Sequence, residues 1–192
     1  MRKISSKEKH EKKQKKNQLI LGVILIVIML FSTFAYSFMG NGSDENSEKV
    51  KYNGYEFIKQ NNLWYLKINE NVFAFSYNPK EVEKIPSYVN TLEHYYNLPL
   101  YIYSENQETR LEIYRNMANY VLRVQNACVE GKECYDENLP IKTCEENVIL
   151  VKESEISLIR QEKNCVFIEG KKENLLKITD EFLFKMLGID LC

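Results

Sequence analysis

Glycine, proline and histidine are scarce in this chain of 192 residues, which contains seven, four and two of them respectively. So few glycines leave little room for a phosphate-binding loop, and no Gly-x-Ser-x-Gly sequence marks a serine nucleophile. The histidines are His10 and His94, so a Ser-His-Asp or Cys-His arrangement beyond the N-terminal tail would have to use His94. We therefore predict no catalytic residue, no cofactor and no metal site from motifs.

Cysteine is absent from the first 127 residues and then occurs five times. No Cys-x-x-Cys pair occurs and no histidine lies near the cysteines, which argues against a zinc site and a thioredoxin-type dithiol. In an oxidising compartment we instead expect two disulfides among the first four cysteines. These four are Cys128, Cys134, Cys144 and Cys165. The fifth, Cys192, is either a frayed end or a site of intermolecular pairing.

Four cysteines allow three connectivities, and sequence alone does not choose between them. Apolar runs at 148–151 and 165–168 predict two strands. If these strands run in the same direction, Cys144 and Cys165 lie at the same end of a sheet. Geometry then favours a bond between these two, and the remaining pair would close a small loop.

Charged residues are absent from Leu19 to Met39, directly behind a tail of residues 1–17 with a net charge of +6. Twenty-one helical residues span about 31 Å, the thickness of a bilayer's hydrocarbon core. We predict a basic cytoplasmic tail at 1–17 and a single-pass transmembrane signal anchor at 18–39, with the lipid bilayer of the cell membrane as its partner. A cleaved signal peptide is the alternative, because Ala35-Tyr36-Ser37 loosely fits a cleavage site.

The chain beyond the tail is acidic and should lie outside the cytoplasm. It carries a net charge of −7, which argues against nucleic acid as a partner. Small and polar residues predict a flexible stalk at 40–50. Residues 51–192 then form one extracytoplasmic domain, which is long enough to bury a sizeable core.

The residue pattern predicts an α+β (mixed α/β) domain that opens with an antiparallel β-meander. Aromatic and β-branched runs separated by asparagine-rich turns place its three strands at 52–58, 63–68 and 72–77. Asn78-Pro79-Lys80-Glu81 is typical of a helix start, although Pro86 would keep that helix short.

A β-α-β unit and a C-terminal helix complete the predicted domain. A strand at Leu100–Tyr103 precedes a capping box at Ser104 and Gln107, and apolar spacing continues this helix through Val124. The strand at 148–151 would close the unit. Further strands are expected at 156–159 and 165–168, and Gly188 ends a final amphipathic helix.

Arg123 and His94 are the candidate functional residues. Arg123 lies in the best predicted helix, either with its stem along apolar surface and its head in water, or buried against a carboxylate or anion. We predict a non-catalytic binding module on a membrane anchor, with an envelope or membrane protein as partner. The alternatives are a hydrolase-like envelope enzyme that uses His94, Arg123 or a carboxylate pair, and a thiol-disulfide protein that uses Cys128 and Cys134.

Overall fold

Two large β-sheets, one pair of short strands and three helices form the part of the chain that the computed structural model describes, residues 48–134 and 136–189. The fold is mixed α+β, as predicted. The predicted tail and membrane anchor, with all but the last three residues of the predicted stalk, lie outside the described residues. Within them, no helix is both long and apolar enough to cross a membrane.

The first sheet is an antiparallel meander, which confirms the prediction and adds one strand at its start. Its four strands are β1 (Lys49–Tyr52), β2 (Tyr55–Gln60), β3 (Leu63–Ile68) and β4 (Asn71–Phe75). β1 begins inside the stretch for which a stalk is expected. The turns use asparagine at positive φ, where its short polar side chain is tolerated, as at Asn61, Asn62 and Asn69. One face of the meander is apolar and buried: Phe57, Trp64, Leu66, Phe73 and Phe75.

The second sheet has five strands in the order β10-β11-β9-β5-β6. They are β5 (Pro99–Ser104), β6 (Arg123–Asn126), β9 (Asn147–Glu153), β10 (Leu158–Glu162) and β11 (Cys165–Gly170). All pairings are parallel except that of β10 with β11. The central strand β9 is buried on both faces, as its continuous apolar run predicts.

The helix before β6 is shorter than predicted and buries a different face. Helix α2 covers Gln107–Met117, and its N-cap is Asn106, whose side chain accepts a hydrogen bond from the Thr109 amide. The predicted cap, Ser104, instead accepts a hydrogen bond from the Asn106 amide. The chain leaves the helix before Val124, because residues 123–126 form ladder bonds with β5.

The residues directly after Asn78 do not form the predicted helix, so that prediction was wrong. The expected cap bonds are nevertheless present: the Asn78 amide donates to the Glu81 carboxylate at 2.8 Å, and the Lys80 amide donates to the Asn78 side chain at 2.8 Å. The chain then turns away, since Val82 and Ile85 are buried in the core and Pro86 follows. The only helix between β4 and β5 is the short α1 (Leu92–Tyr95).

The C-terminal helix joins the two sheets. Helix α3 (Leu175–Met186) follows a short 3₁₀ turn and ends before Gly188, whose φ of 71° suits glycine. Phe184 lies with its ring centroid 4.7 Å from that of Phe75 and 5.7 Å from that of Phe57. The main core therefore lies between the meander, the helices and one face of the second sheet.

The other face of the second sheet is covered by a segment with little regular structure, residues 127–134 and 136–146, which we call the cover segment. It contains the two-residue strands β7 (Cys128–Val129) and β8 (Ile141–Lys142), which pair in parallel. A smaller apolar cluster lies beneath it: Tyr101, Tyr103, Ala127, Val129, Val148, Leu150, Cys165 and Phe167.

Two disulfides hold the cover segment in place. Cys128 bonds to Cys134 within the segment, and Cys144 bonds to Cys165 on β11, with Cα–Cα distances of 5.4 and 4.9 Å. The predicted disulfide bonds are thus present in the favoured pairing. The assumption behind this pairing, that the two strands run in the same direction, also holds, because β9 and β11 are parallel.

Candidate functional site

A cleft lies at the edge of the second sheet where the parallel strands begin, and we call it the amino-edge cleft. Its volume is about 300 Å³. Pro99, Asn147 and the residue before β11, Asn164, mark the starts of three neighbouring strands. The full lining is His94, Leu98, Pro99, Tyr101, Lys142, Glu145, Glu146, Asn147 and Asn164. One of the two predicted functional residues, His94, therefore lines a concave site.

His94 is half-buried and bonded to an amide rather than to an acid. Its Nε2 atom lies 3.1 Å from Oδ1 of Asn147 at the start of β9. The ring packs edge-on against Tyr95, with ring centroids 5.3 Å apart. This contact uses one ring nitrogen and fixes the orientation of the imidazole at the mouth of the cleft.

Arg123 lies beside the same cleft, but on strand β6 rather than on a helix. Its side chain is exposed, which contradicts a buried arginine and agrees with a head group in water. The Nη2 atom donates a hydrogen bond of 3.0 Å to the hydroxyl of Tyr101. Tyr101 belongs to β5 and lines the cleft, so it connects Arg123 to the site.

A second cation reaches Tyr101 from the cover segment. The Nζ atom of Lys142 lies 4.3 Å from the centroid of the Tyr101 ring. The hydrogen bond from Arg123 lowers the pKa of the Tyr101 hydroxyl, and Lys142 lowers it further, since both cations favour the phenolate. The hydrogen bond to Tyr101 and the nearby Glu146 raise the pKa of Lys142. Four residues from four separate elements thus lie close together at the amino-edge cleft: His94, Tyr101, Arg123 and Lys142.

The two glutamates of the cleft already have partners. Glu146 accepts hydrogen bonds from the amide and hydroxyl of Thr143 at 3.1 and 3.0 Å, and Lys142 donates to it at 3.3 Å. The backbone hydrogen bond from Thr143 is the main reason that the pKa of Glu146 lies below its ordinary value. Glu145 forms an ion pair with Lys163. Each acid in the wall of the cleft therefore has a lysine partner.

A second concavity of about 250 Å³ lies at the opposite edge, where β5 and β9 end. The chain diverges here, since β5 leads to β6 on one side and β9 leads towards β11 on the other. Such a point is the usual ligand position in open α/β sheets. Its charged lining residues are all exposed, and no cations converge on one atom: Glu105, Lys132, Glu133, Lys152 and Glu153. The amino-edge cleft is therefore the stronger candidate.

Metal and thiol chemistry find no support in the described residues. Within 48–134 and 136–189, no group of three or more histidines, cysteines or acids could hold a metal ion. All four cysteines of this part are disulfide-bonded. Cys128 is only 1% exposed, which leaves Cys134 as the more accessible sulfur of its pair.

A buried polar seam joins the meander to the helices, away from both concavities. Glu112 of α2 accepts hydrogen bonds from the Ser76 amide at 3.0 Å and the Ser76 hydroxyl at 2.7 Å, and Arg115 pairs with it. Asp180 of α3 accepts a hydrogen bond of 2.8 Å from the Tyr77 amide. Burial, followed by the charge of Glu112 and a hydrogen bond with it, raises the pKa of Asp180 well above its ordinary value. The raised pKa means that Asp180 keeps its proton to a higher pH than an ordinary aspartate does.

Replacing Asp180 by asparagine should remove part of the pH dependence of stability. The raised pKa means that folding takes up a proton, so this contribution is complete below about pH 4 and is lost as the pH rises towards the folded-state pKa. Asparagine is always neutral, keeps the acceptor for the Tyr77 amide and donates to Glu112. Thermal unfolding of the full chain in detergent, followed by circular dichroism from pH 4 to 8, measures the effect.

In that comparison, Asp180→Asn should gain stability over the wild type as the pH rises, by at most about 1.4 kcal/mol per pH unit. Asp136→Asn removes an exposed carboxylate and is the matched control. If the stabilities of wild type and Asp180→Asn instead change in parallel with pH, Asp180 titrates as an ordinary aspartate and the prediction is wrong.

Comparisons with known proteins give no relative. No protein-family model, no curated protein and no solved structure matches the chain. The geometry of the amino-edge cleft is therefore the feature from which a function is inferred.

Proposed function

We propose that the protein is a non-catalytic binding module, held on the outer face of the cell membrane by an N-terminal anchor, and that its ligand or partner occupies the amino-edge cleft. The observation that carries this proposal is the convergence of His94, Tyr101, Arg123 and Lys142 from four separate elements. A concave site with a few convergent polar groups is the usual form of a ligand site.

The proposed location is supported by sequence and by the disulfides. The uncharged run from Leu19 to Met39 and the basic residues before it favour an anchor with its N-terminus inside the cell. Two disulfides in a domain of this size are typical of an oxidising compartment. An envelope or membrane protein near the outer face is then within reach of the cleft.

The contacts of His94 and Tyr101 favour binding over catalysis. A histidine that acts as a general base is usually oriented by a carboxylate, and His94 contacts the amide of Asn147 instead. Tyr101 has a buried ring, and its hydroxyl accepts a hydrogen bond from Arg123. These contacts position groups that recognise a ligand, and they place no nucleophile beside a base.

A hydrolase-like envelope enzyme is the second candidate, because His94 lines the same cleft as Glu145 and Glu146. The two functions differ in the effect of His94→Ala. For a binding module, the change alters affinity for whatever occupies the cleft, and no turnover exists to be lost. For an enzyme, turnover falls by a factor of about 100 or more even where binding persists.

A photoreactive residue at position 98 should cross-link the occupant of the cleft in living cells. Leu98 lines the cleft and is 46% exposed, so a benzophenone side chain fits there without disturbing the core. We expect a discrete adduct of the full chain, detected by intact mass spectrometry, which reports small molecules and proteins alike. Tyr101→Ala should abolish the adduct by removing the wall that positions Arg123.

The same residue at position 72 is the matched control, since Val72 is 60% exposed but lies on the meander. Identical adducts at positions 98 and 72, or none at either, would contradict the proposed site. Protease added to intact cells should cleave the adduct-bearing domain from the anchor. Full protection of the domain would contradict the outward orientation.

A further inference from the structure

Arg123 has no acidic partner among the described residues, whereas two of the other three arginines there have one; the third, Arg110, donates to the Ser104 carbonyl. Arg115 pairs with Glu112, and Arg160 pairs with Glu162. Within the described residues, the side chain of Arg123 contacts Tyr101 in two ways. It donates one hydrogen bond to the hydroxyl, and its guanidinium carbon lies 6.0 Å from the ring centroid. A guanidinium has five N–H donors, so most of those on Arg123 face solvent at the rim of the cleft.

Lys142 adds a second positive charge on the same ring. Its nearest acid is Glu146, which also accepts two hydrogen bonds from Thr143 and so is shared. The result is a positive spot on a chain that carries a net charge of −7 beyond its N-terminal tail. The hydrogen bond from Arg123 and the contact with Lys142 lower the pKa of Tyr101, which is consistent with two cations beside its hydroxyl.

The shape of the cleft suits a small ligand. Its volume of about 300 Å³ is at the lower end of the range for small-molecule sites. Leu98 and Pro99 give it an apolar wall, while the cations lie on the side of Tyr101. Such a site has one end for a charged group and another for a short apolar or neutral body.

Resting on the proposed function, we infer that the ligand of the amino-edge cleft carries a carboxylate or phosphate group, which the guanidinium of Arg123 binds with Lys142 as the second cation. Both groups match the planar fork of a guanidinium, which donates two parallel hydrogen bonds to a pair of anionic oxygens. The body of the ligand lies against Leu98 and Pro99. Glu145 and Glu146 also line the cleft and disfavour a ligand that carries a second negative charge.

Tyr101 is a positioning residue in this arrangement. Its hydroxyl holds Nη2 of Arg123 at 3.0 Å, so the guanidinium is oriented before any ligand arrives. Ordering a long side chain in advance removes part of the entropy cost of binding. Tyr101→Phe keeps the ring under the cations and removes only this hydroxyl, so it should weaken binding less than loss of Arg123 does.

Titration of the full chain with three simple probes tests the inference. Sodium phosphate, sodium acetate and glucose are added at constant ionic strength to ¹⁵N-labelled protein in detergent. The side-chain signals of Arg123 and Asn147 are followed by NMR. We expect saturable shifts with phosphate, acetate or both, and none with glucose. Arg123→Gln should weaken the anion's apparent Kd at least about tenfold.

Arg160→Gln is the matched control, because it removes the same charge from a half-buried arginine on another strand of the same sheet. It should change the apparent Kd less than about twofold. Shifts with phosphate alone identify a phosphate ligand, and shifts with acetate alone identify a carboxylate. Equal weakening by Arg123→Gln and Arg160→Gln would reveal general screening and overturn the inference.

Failure of the inference and failure of the proposed function give different results. If neither anion shifts the cleft signals while the cross-link at position 98 still forms, the cleft binds a ligand of another class. If the anions have no effect and the specific cross-link is also absent, the proposed function fails with the inference.

Discussion

Replacing Asn116 by alanine should lower the free energy of unfolding by about 3 kcal/mol, which is a large fraction of the stability of a small domain. The side chain of Asn116 takes the place of a neighbouring strand at the edge of the meander. Its Oδ1 atom accepts a hydrogen bond from the Ala74 amide, and its Nδ2 atom donates to the Ala74 carbonyl, both at 2.9 Å. The site is buried, so no water replaces these bonds when the side chain is removed.

The two backbone groups of Ala74 are affected unequally. The carbonyl also accepts a hydrogen bond of 3.1 Å from Arg115, so it keeps a partner in the variant. The amide has no second partner among the described residues, and an unsatisfied buried donor costs about 1–3 kcal/mol. The loss of the second bond and of packing supplies the rest.

Urea unfolding of the full chain in detergent, followed by tryptophan fluorescence, measures this change. Trp64 reports on it directly, because it is buried in β3 and paired with β4. Asn119→Ala is the control, since Asn119 is exposed and lies two residues beyond the end of the same helix. A loss below about 1 kcal/mol for Asn116→Ala would show that the strand edge does not depend on this amide.

Removing the Cys144–Cys165 bond by a double alanine substitution should also cost about 3 kcal/mol. The bond joins residues 21 positions apart and fastens the cover segment to β11. On the chain-entropy model, the loss is smaller for Cys128–Cys134, about 2 kcal/mol, because its residues are only six apart. The order of the two losses is the sharper prediction, since strain and residual structure affect the absolute values.

Thermal unfolding of the two double variants and the wild type, without reductant, measures both losses. Alkylation of the native wild-type protein should block one thiol, that of Cys192. Alkylation after reduction and unfolding should block five thiols. Each double variant should still carry the other disulfide by the same count. A larger loss for the Cys128–Cys134 pair would mean that the short loop, rather than the link to β11, determines the stability of the cover segment.

The sequence pattern predicts elements well where apolar burial decides the structure. The strand at 148–151 and the final helix follow from runs of buried residues, and the disulfide pairing follows from the parallel strands that they predict. β1 was missed because Lys49 and Lys51 make it resemble a polar stalk. Its residues alternate in exposure, as expected of an outer strand of the meander.

Helix α2 shows why apolar spacing misleads at a polar interface. The predicted apolar stripe includes Leu111 and Tyr114, which are 55% and 53% exposed. The buried face instead carries Glu112 and Asn116, because the open edge of β4 needs hydrogen-bonding partners more than apolar cover. A pattern of hydrophobicity contains no information about which helix face meets a strand edge.

The candidate site was predictable only in part. Arg123 and His94 are unusual by position and type, and both lie at or beside the amino-edge cleft. Tyr101 and Lys142 lie on separate strands and match no motif, so only the register of β5 against β6 and the path of the cover segment reveal their meeting. Assigning Arg123 to a helix obscured this, because a strand residue beside β5 is already next to Tyr101.

The position of α3 at the end of the chain has a consequence for how the protein is made. Phe184 fills the space between Phe57 and Phe75, so the meander emerges from the ribosome long before the helix that buries its apolar face. At about 5–20 residues per second, that face stays uncovered for roughly 5–20 s of synthesis. Until α3 has been made, the chain exposes the aromatic rings of β2 and β4, and such exposed apolar surface makes it prone to aggregation.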